Sequence, residues 1–194
     1  GNLPRYFGVI NGPDAEAGAV RRGKELVPVI RRLLSAFREA GVCVIFTAFG
    51  SLTEDGSDLV PYVRLWNRKC QEMLGFPAIV SINAPGYVIL PDLSPLANEP
   101  VINKTAQGAF NSSIIDHVLK QRGINTIVVA GMYTNHCVMA TCIGAADSGY
   151  RVIVPEDAVG SWSLALHEQS LGIMRPWIIR TSSDRIIREL TPVQ

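Results

Sequence analysis

No apolar run in this sequence approaches the roughly 20 residues that a membrane-crossing helix needs, and no signal peptide is visible at Gly1, so neither a membrane anchor nor export is expected. Cysteine is sparse, four in 194 residues, and never occurs in paired Cys-x-x-Cys spacing. That argues against a disulfide framework and a structural zinc site, and favours a reducing, cytoplasmic compartment. An excess of one charge is lacking too: 18 Lys+Arg face 17 Asp+Glu, with no basic run interleaved with aromatics. Nothing there provides the footprint of a nucleic-acid groove. The expected partner is a small molecule or a second copy of the chain. Internal repeats and low-complexity tracts are also missing. What is present is a 47% hydrophobic chain, long enough for one well-buried domain over residues 1–194 and short for two.

The apolar segments alternate in character. Residues 6–10 form a short apolar run that ends at Asn11-Gly12-Pro13-Asp14, a set of turn formers expected to stop a first central strand. Residues 24–40 place Leu26, Val27, Ile30, Leu33, Leu34 and Phe37 at helical spacing, with arginines on the solvated side and Gly41 as the stop. Residues 42–47 read as a second buried strand, with Cys43 inside it as a structural residue. Over residues 48–100 the periodicity is lost, yet Phe49, Tyr62, Trp66, Phe76 and Tyr87 make this stretch too aromatic for a disordered linker. It reads as a long excursion that covers something, with Arg64 and Trp66 either lining a pocket or anchoring the loop.

Regular alternation then resumes. A strand over 101–104 ends on Lys104, and a helix over 111–122 is capped by Asn111 or Ser112 and stopped by Gly123. A strand over 125–130, a helix over 138–146 containing Cys142, and a strand over 151–154 follow. A helix over 163–173, a strand over 177–181 and a last helix to Leu190, capped by Ser182 or Ser183, complete the pattern. Six strands alternating with helices imply an α/β fold: an open, mostly parallel sheet covered on both faces, with ligands beyond the carboxyl ends of the strands.

That rim collects Asn11 after the first strand, Lys104 after the third and Cys137 after the fourth. Cys137 opens a helix, where unpaired N–H groups and the helix dipole favour thiolate over thiol. By position alone it is equally a small core residue. A lysine at the same rim favours the nucleophile, because an adjacent cation activates a thiol. Cys70 has no activating neighbour and is read as structural, as is Cys142.

Three stretches carry a resemblance: Val101-Ile102-Asn103-Lys104 through Gly108-Ala109-Phe110, then Gly131-Met132-Tyr133-Thr134-Asn135-His136-Cys137-Val138, then Ala146-Asp147-Ser148-Gly149-Tyr150 with Glu156-Asp157-Ala158. The chain resembles the isochorismatase-like cysteine hydrolase superfamily, which includes nicotinamidases and N-carbamoylsarcosine amidohydrolases. The resemblance implies a parallel-sheet fold, Cys137 as nucleophile, Lys104 as support for the thiolate and for proton transfer, and a cis peptide between Met132 and Tyr133. It further implies an oxyanion hole from the backbone N–H groups of Tyr133 and Cys137, and a homodimer or tetramer.

The family's catalytic Asp closes the first strand, where this chain has Asn11. An amide holds geometry but is no general base near neutral pH. Three readings stay open: an activated substrate with the proton moved by water, substrate or His136; an Asp-to-Asn variant that traps a complex; or a non-hydrolytic or ligand-binding site. Asp14 is a further acid if the turn folds back. His136 is either a spare base, since histidine titrates near neutrality, or a packing residue. Retention of Cys without Asp is the reverse of the pattern in vinyl-ether-cleaving isochorismatases, so isochorismate is not the expected substrate. The Asp-x-His zinc motif of nicotinamidases is replaced by Thr47-Ala48-Phe49-Gly50-Ser51, and no metal or other cofactor is expected. His117 and His167 read as surface or capping residues. Phe49, Trp66, Asn135, His136 and Trp162 are candidate contacts for a flat substrate, and each is equally a packing residue. The expected activity is hydrolysis of a C–N bond in a small amide, carbamoyl or imide-like compound.

Overall fold

A computed structural model describes residue 11 and residues 13–190. The strand expected over residues 6–10 lies outside the described residues. Helix α1, Pro13–Glu39, leads into β1, Phe46–Phe49, followed by α2, Pro61–Leu74, and β2, Val101–Lys104. Then come α3, Ile115–Gln121; β3, Thr126–Val128; β4, Gly131–Met132; a wide π-type turn, Thr134–Val138; and α4, Met139–Asp147. The chain continues through β5, Arg151–Pro155; β6, Val159–Gly160; α5, Leu164–Met174; β7, Ile178–Thr181; and α6, Ser183–Leu190. Every ladder is parallel.

Among the described residues the strands fall into three ladders, in the orders β1-β2, β3-β5-β7 and β4-β6. β4 follows β3 after two residues, and β6 follows β5 after the 3-10 turn Glu156–Ala158. The period-2 alternation of β5 sorts its side chains between two layers. Val152 and Val154 join Leu119 of α3, Cys142 and Ala145 of α4, and Leu171 and Met174 of α5 in one core. Ile153 packs on the other face, with Leu33 of α1 and Ile186 of α6. Each fully buried aliphatic side chain contributes about 1.5–3 kcal/mol relative to exposure, so both layers are needed to hold the strands.

Several expectations need correction. Asn11 is already helical, and α1 starts at Pro13 rather than at Lys24. Proline needs no N–H partner in a first turn, and Asp14 and Glu16 there complement the helix dipole. The interior Pro28 is exposed, so the carbonyl it leaves unbonded can face water. The second strand is shifted to Phe46–Phe49, which leaves exposed Cys43 outside it, accepting a hydrogen bond from Arg122 Nη1 at 3.0 Å. The supposed loop of residues 48–100 holds α2, opened by Pro61 and closed by Gly75 in the left-handed conformation at φ 79°. Both are ordinary helix boundary signals. Helix α3 begins only at Ile115, because Ser112 and Ser113 donate their hydroxyls to the carbonyls of Gly108 and Ala109 instead of capping a longer helix. The helical path of this segment begins at Thr134, so Cys137 lies inside the π-type turn that precedes α4. Such turns are concentrated at functional sites.

Candidate active site

β2 ends on Lys104, and its alternation turns that side chain inward, leaving the residue only 4% exposed. A buried ammonium needs partners. Lys104 Nζ donates to the carbonyls of Ala106 at 2.8 Å and Gln107 at 3.0 Å, and to Cys137 Sγ at 3.3 Å. It also sits 4.0 Å over the centre of the Phe49 ring, a cation–π contact that strengthens as water is excluded. Burial lowers the Lys104 pKa, while the charge on Cys137 and the hydrogen bond to it pull in the opposite direction. A cation that gives up its proton more readily than a solvated lysine suits a relay role.

Cys137 Sγ donates to Gln107 Oε1 at 2.8 Å. The peptide bond between Met132 and Tyr133 is cis. The Tyr133 carbonyl accepts the N–H groups of His136 and Val138, which winds the turn around the sulfur. Thr134 at the start of this turn is fully buried and pairs through Oγ1 with His167 Nδ1 at 2.9 Å. Asn135 Oδ1 accepts from Ser161 Oγ at 2.7 Å, tying the turn to the segment after β6. Burial and the charge on Cys137 both raise the Tyr133 pKa, and the same two influences raise that of Tyr62 against a backbone hydrogen bond from Gln107. Tyr62, Tyr133 and Lys104 therefore all feel the sulfur.

An aromatic wall stands beside the turn that carries Cys137. The His136 ring lies 5.2 Å from Trp162 and 6.5 Å from Trp66. Tyr62 meets Trp66 edge-on at 4.9 Å, and Trp162 meets Tyr133 at 5.5 Å. Burial lowers the His136 pKa and so favours the neutral ring. Small residues of α1 make this wall possible: Ala15 and Ala19 pack against Tyr133 and Trp162, and a Cβ at Gly18 would run into the Trp162 carbonyl oxygen.

Lys104 and Cys137 thus meet, with Tyr133, His136, Trp66 and Trp162 close by. Asn11 is exposed, and no hydrogen bond joins it to Lys104 or Cys137. Among the described residues no carboxylate is bonded to either of them, and Asp14 is exposed in the first turn of α1. Phe49 is engaged with the lysine and Asn135 with Ser161, whereas Arg64 is exposed. His117 is at the surface, but His167 is buried and bonded to Thr134 of the turn that carries Cys137, contrary to its expected surface or capping place. Sequence reading missed Gln107 and Thr134. Gln107 follows Lys104 by three residues, the one local hint of a shared site. Cys70 and Cys142 are fully buried, and burial pushes the Cys142 thiol up to about 12. Among the described residues no group of three or more His, Cys, Asp or Glu is placed to hold a metal ion.

Solved structures share this fold. The chain is 33% identical over 79 residues to the maleamate amidohydrolase of Pseudomonas putida, a match covering 41% of this chain and 37% of that protein. It is 29% identical over 141 residues to the ureidoacrylate amidohydrolase RutB of Yersinia enterocolitica serotype O:8 / biotype 1B, covering 69% of this chain and 60% of that protein. The chain thus spans less than two thirds of the length of these two relatives. A crystal structure of a cysteine hydrolase from Pseudomonas syringae pv. phaseolicola superposes with a TM-score of 0.76 at 25% identity, covering 87% of this chain and 81% of the other. The Isochorismatase domain family model matches residues 8–183, from before α1 into α6. With nearly the whole chain matched and the parallel α/β fold in common, this protein belongs to the isochorismatase family.

Proposed function

We propose that this chain is a cysteine hydrolase that cleaves the C–N bond of a small, flat amide, carbamoyl or imide-like compound. The observation that carries the reading is the 3.3 Å contact between buried Lys104 and Cys137. Similarity to proteins named as maleamate and ureidoacrylate amidohydrolases supports it.

In this reading the Cys137 sulfur attacks the substrate carbonyl carbon, and the thiol proton passes through Lys104 towards the leaving nitrogen. The N–H groups of Tyr133 and Cys137 receive the developing oxyanion, a role whose loss typically costs about a hundredfold or more in rate. Collapse breaks the C–N bond, releases ammonia or an amine and leaves an S-acyl Cys137. Water then adds to that thioester, releasing the acid and returning the proton to sulfur. No cofactor enters these steps. The Trp66, His136 and Trp162 rings offer a flat substrate stacking surfaces beside the sulfur.

A second reading, a weakened homologue that binds a small ligand, is favoured by the exposed Asn11 and by the lack of a carboxylate bonded to Lys104 or Cys137 among the described residues. Ammonia release from a panel of small amides, ureas and carbamoyl compounds separates the two. The parent chain, Asn11→Asp and Cys137→Ala are assayed in parallel. Turnover by the parent that vanishes in Cys137→Ala supports the hydrolase. Turnover by Asn11→Asp alone assigns the defect to position 11. Silence from folded parent and folded Asn11→Asp chains overturns the hydrolase reading.

A further inference from the structure

The hydrogen bonds through the Cys137 sulfur run in one direction. Lys104 Nζ donates to Cys137 Sγ at 3.3 Å, and Cys137 Sγ donates to Gln107 Oε1 at 2.8 Å. An ammonium is a donor only, with three N–H groups. Those of Lys104 go to the Ala106 and Gln107 carbonyls and to the sulfur, so the thiol proton cannot point at the lysine. It needs an acceptor elsewhere, and the Gln107 amide oxygen is the one bonded to it. A thiolate in the same place would meet that oxygen with no proton between two electron-rich atoms. Lys104 and Gln107 therefore pull the sulfur in opposite directions: the cation favours S⁻, and the amide oxygen favours S–H.

Gln107 is fixed in this position by its backbone. It is half-buried in the loop after β2. Its N–H is donated to the Tyr62 hydroxyl of α2, and its carbonyl accepts from Lys104 Nζ at 3.0 Å. The next two residues press the loop onto α4. A Cβ at Gly108 would lie 3.1 Å from the Ala140 carbonyl oxygen, and Ala109 N–H donates to Thr141 Oγ1 at 3.2 Å. A loop tied to α2, to the ammonium and to α4 presents this one side chain to the sulfur.

We propose that Gln107 is a further catalytic residue, which holds the Cys137 proton on the sulfur at rest and so sets how much thiolate is available for attack. An amide oxygen accepts a hydrogen bond but is no base near neutral pH, so it keeps this proton in place and cannot carry it away. Within the hydrolase reading, on which this role rests, turning the S–H off Gln107 is the first step. Lys104 then gives one of its protons to the leaving nitrogen and takes the thiol proton in its place, while the sulfur bonds to the carbonyl carbon.

Alkylation of Cys137 by iodoacetamide tests this role, read on the Cys137 peptide by mass spectrometry so that exposed Cys43 does not count. The reagent is uncharged, and its rate follows the thiolate fraction. At pH 7 Gln107→Met, of similar length and without the amide acceptor, is expected to react about three- to tenfold faster than the parent, the worth of one neutral hydrogen bond. Gln107→Glu, of the same shape with a carboxylate, is expected to react about tenfold slower, because a like charge disfavours S⁻. The three rates are to draw together at pH 10, where hydroxide ionises the thiol whatever holds it.

A Gln107→Met rate at or below that of the parent at pH 7 overturns the proposal. So does a ratio that persists unchanged at pH 10, the mark of altered access to the sulfur. If Gln107→Met does not fold, Gln107→Glu decides: a rate equal to or above that of the parent at pH 7 overturns the role. No turnover enters this readout. A parent silent in the ammonia assay but showing the expected order of rates refutes the hydrolase reading and leaves the held proton standing. An active parent with equal rates in all three chains refutes the role of Gln107 alone.

Discussion

Thr134 Oγ1 and His167 Nδ1 lie 2.9 Å apart, both in buried residues, and join the turn that carries Cys137 to α5. Val138 of that turn and Leu171 and Met174 of α5 also share one apolar cluster. Thr134→Val removes one partner and leaves a buried ring nitrogen unbonded, a change that costs about 1–3 kcal/mol. Lower activity at unchanged substrate affinity is expected with it, read as a fall in kcat ahead of KM, because the turn that carries Cys137 loses its anchor.

His167 also makes the tie pH-dependent. Burial first, with Arg22 and Arg180 adding repulsion against the attraction of Glu168 and Glu156, lowers its pKa in the folded chain. A histidine depressed on folding binds its proton more readily when unfolded, so folding stability is full above the unfolded value of about 6.5 and declines as pH falls below it. His167→Gln lacks that proton-binding step. Thermal melts from pH 8 to pH 5 are expected to show the parent losing its advantage over His167→Gln on acidification. A constant difference counts against a neutral buried ring.

Lys104→Met keeps most of the packing and removes the charge. Alkylation of Cys137 by iodoacetamide at pH 7 is expected to slow by about tenfold, since the neighbouring cation supports the attacking thiolate, and turnover is expected to fall by about a hundredfold or more. Lys104→Arg does not rescue it, because a planar fork cannot reproduce three donors converging from one compact ammonium. Equal alkylation rates in the parent and Lys104→Met chains rule out electrostatic support of the sulfur.

Arg38 at the end of α1 grips Glu99 with two hydrogen bonds, at 2.8 and 2.7 Å, and the carboxylate is only 6% exposed. The Arg38 hydrogen bond holds the Glu99 carboxyl below the usual range, against the cost of burial. Glu99→Gln is expected to cost about 1.5–3 kcal/mol at neutral pH, the range for hydrogen bonds to charged groups. A carboxylate depressed on folding contributes fully above its unfolded pKa of about 4.3 and is lost as pH falls through the folded value. The parent and Glu99→Gln therefore converge in acid, a result that denaturant titrations at pH 7 and pH 3 measure.

Periodicity made the alternating strands and helices after Val101 legible, because each strand there is a short apolar run and each helix has a stop residue. Element edges moved, as where Ser112 and Ser113 turn their hydroxyls back onto carbonyls, and the two-residue strands β4 and β6 went unread. Helix α2 was concealed although Pro61 and Gly75 mark both its ends, since the turn-forming residues around it outweighed fourteen residues of amphipathic chain. Alternation of strands and helices led to the same rim for the lysine, which closes β2, and for the cysteine, which lies in the turn after β4, and the resemblance added the roles expected of them. Gln107 and the Thr134–His167 pair were not, because the first acts from a loop and the second is a contact across 33 residues that no local pattern encodes. Asn11 was placed at the rim on the strength of a strand that lies outside the described residues, and its exposed helical position is what the described chain offers instead.

In the ladder of β1 and β2, Phe49 stands opposite Lys104, the last of four partnered positions that begin with Phe46 opposite Val101. The aromatic face that shelters the ammonium is therefore the cross-strand neighbour of the lysine. A slip of one residue in that ladder would turn one of the two side chains to the opposite face of the sheet, parting the ring from the charge. Lys104 can be held at the sulfur only when the two strands are threaded in step, so the chemistry of the rim serves as a proofreader of how the sheet was assembled.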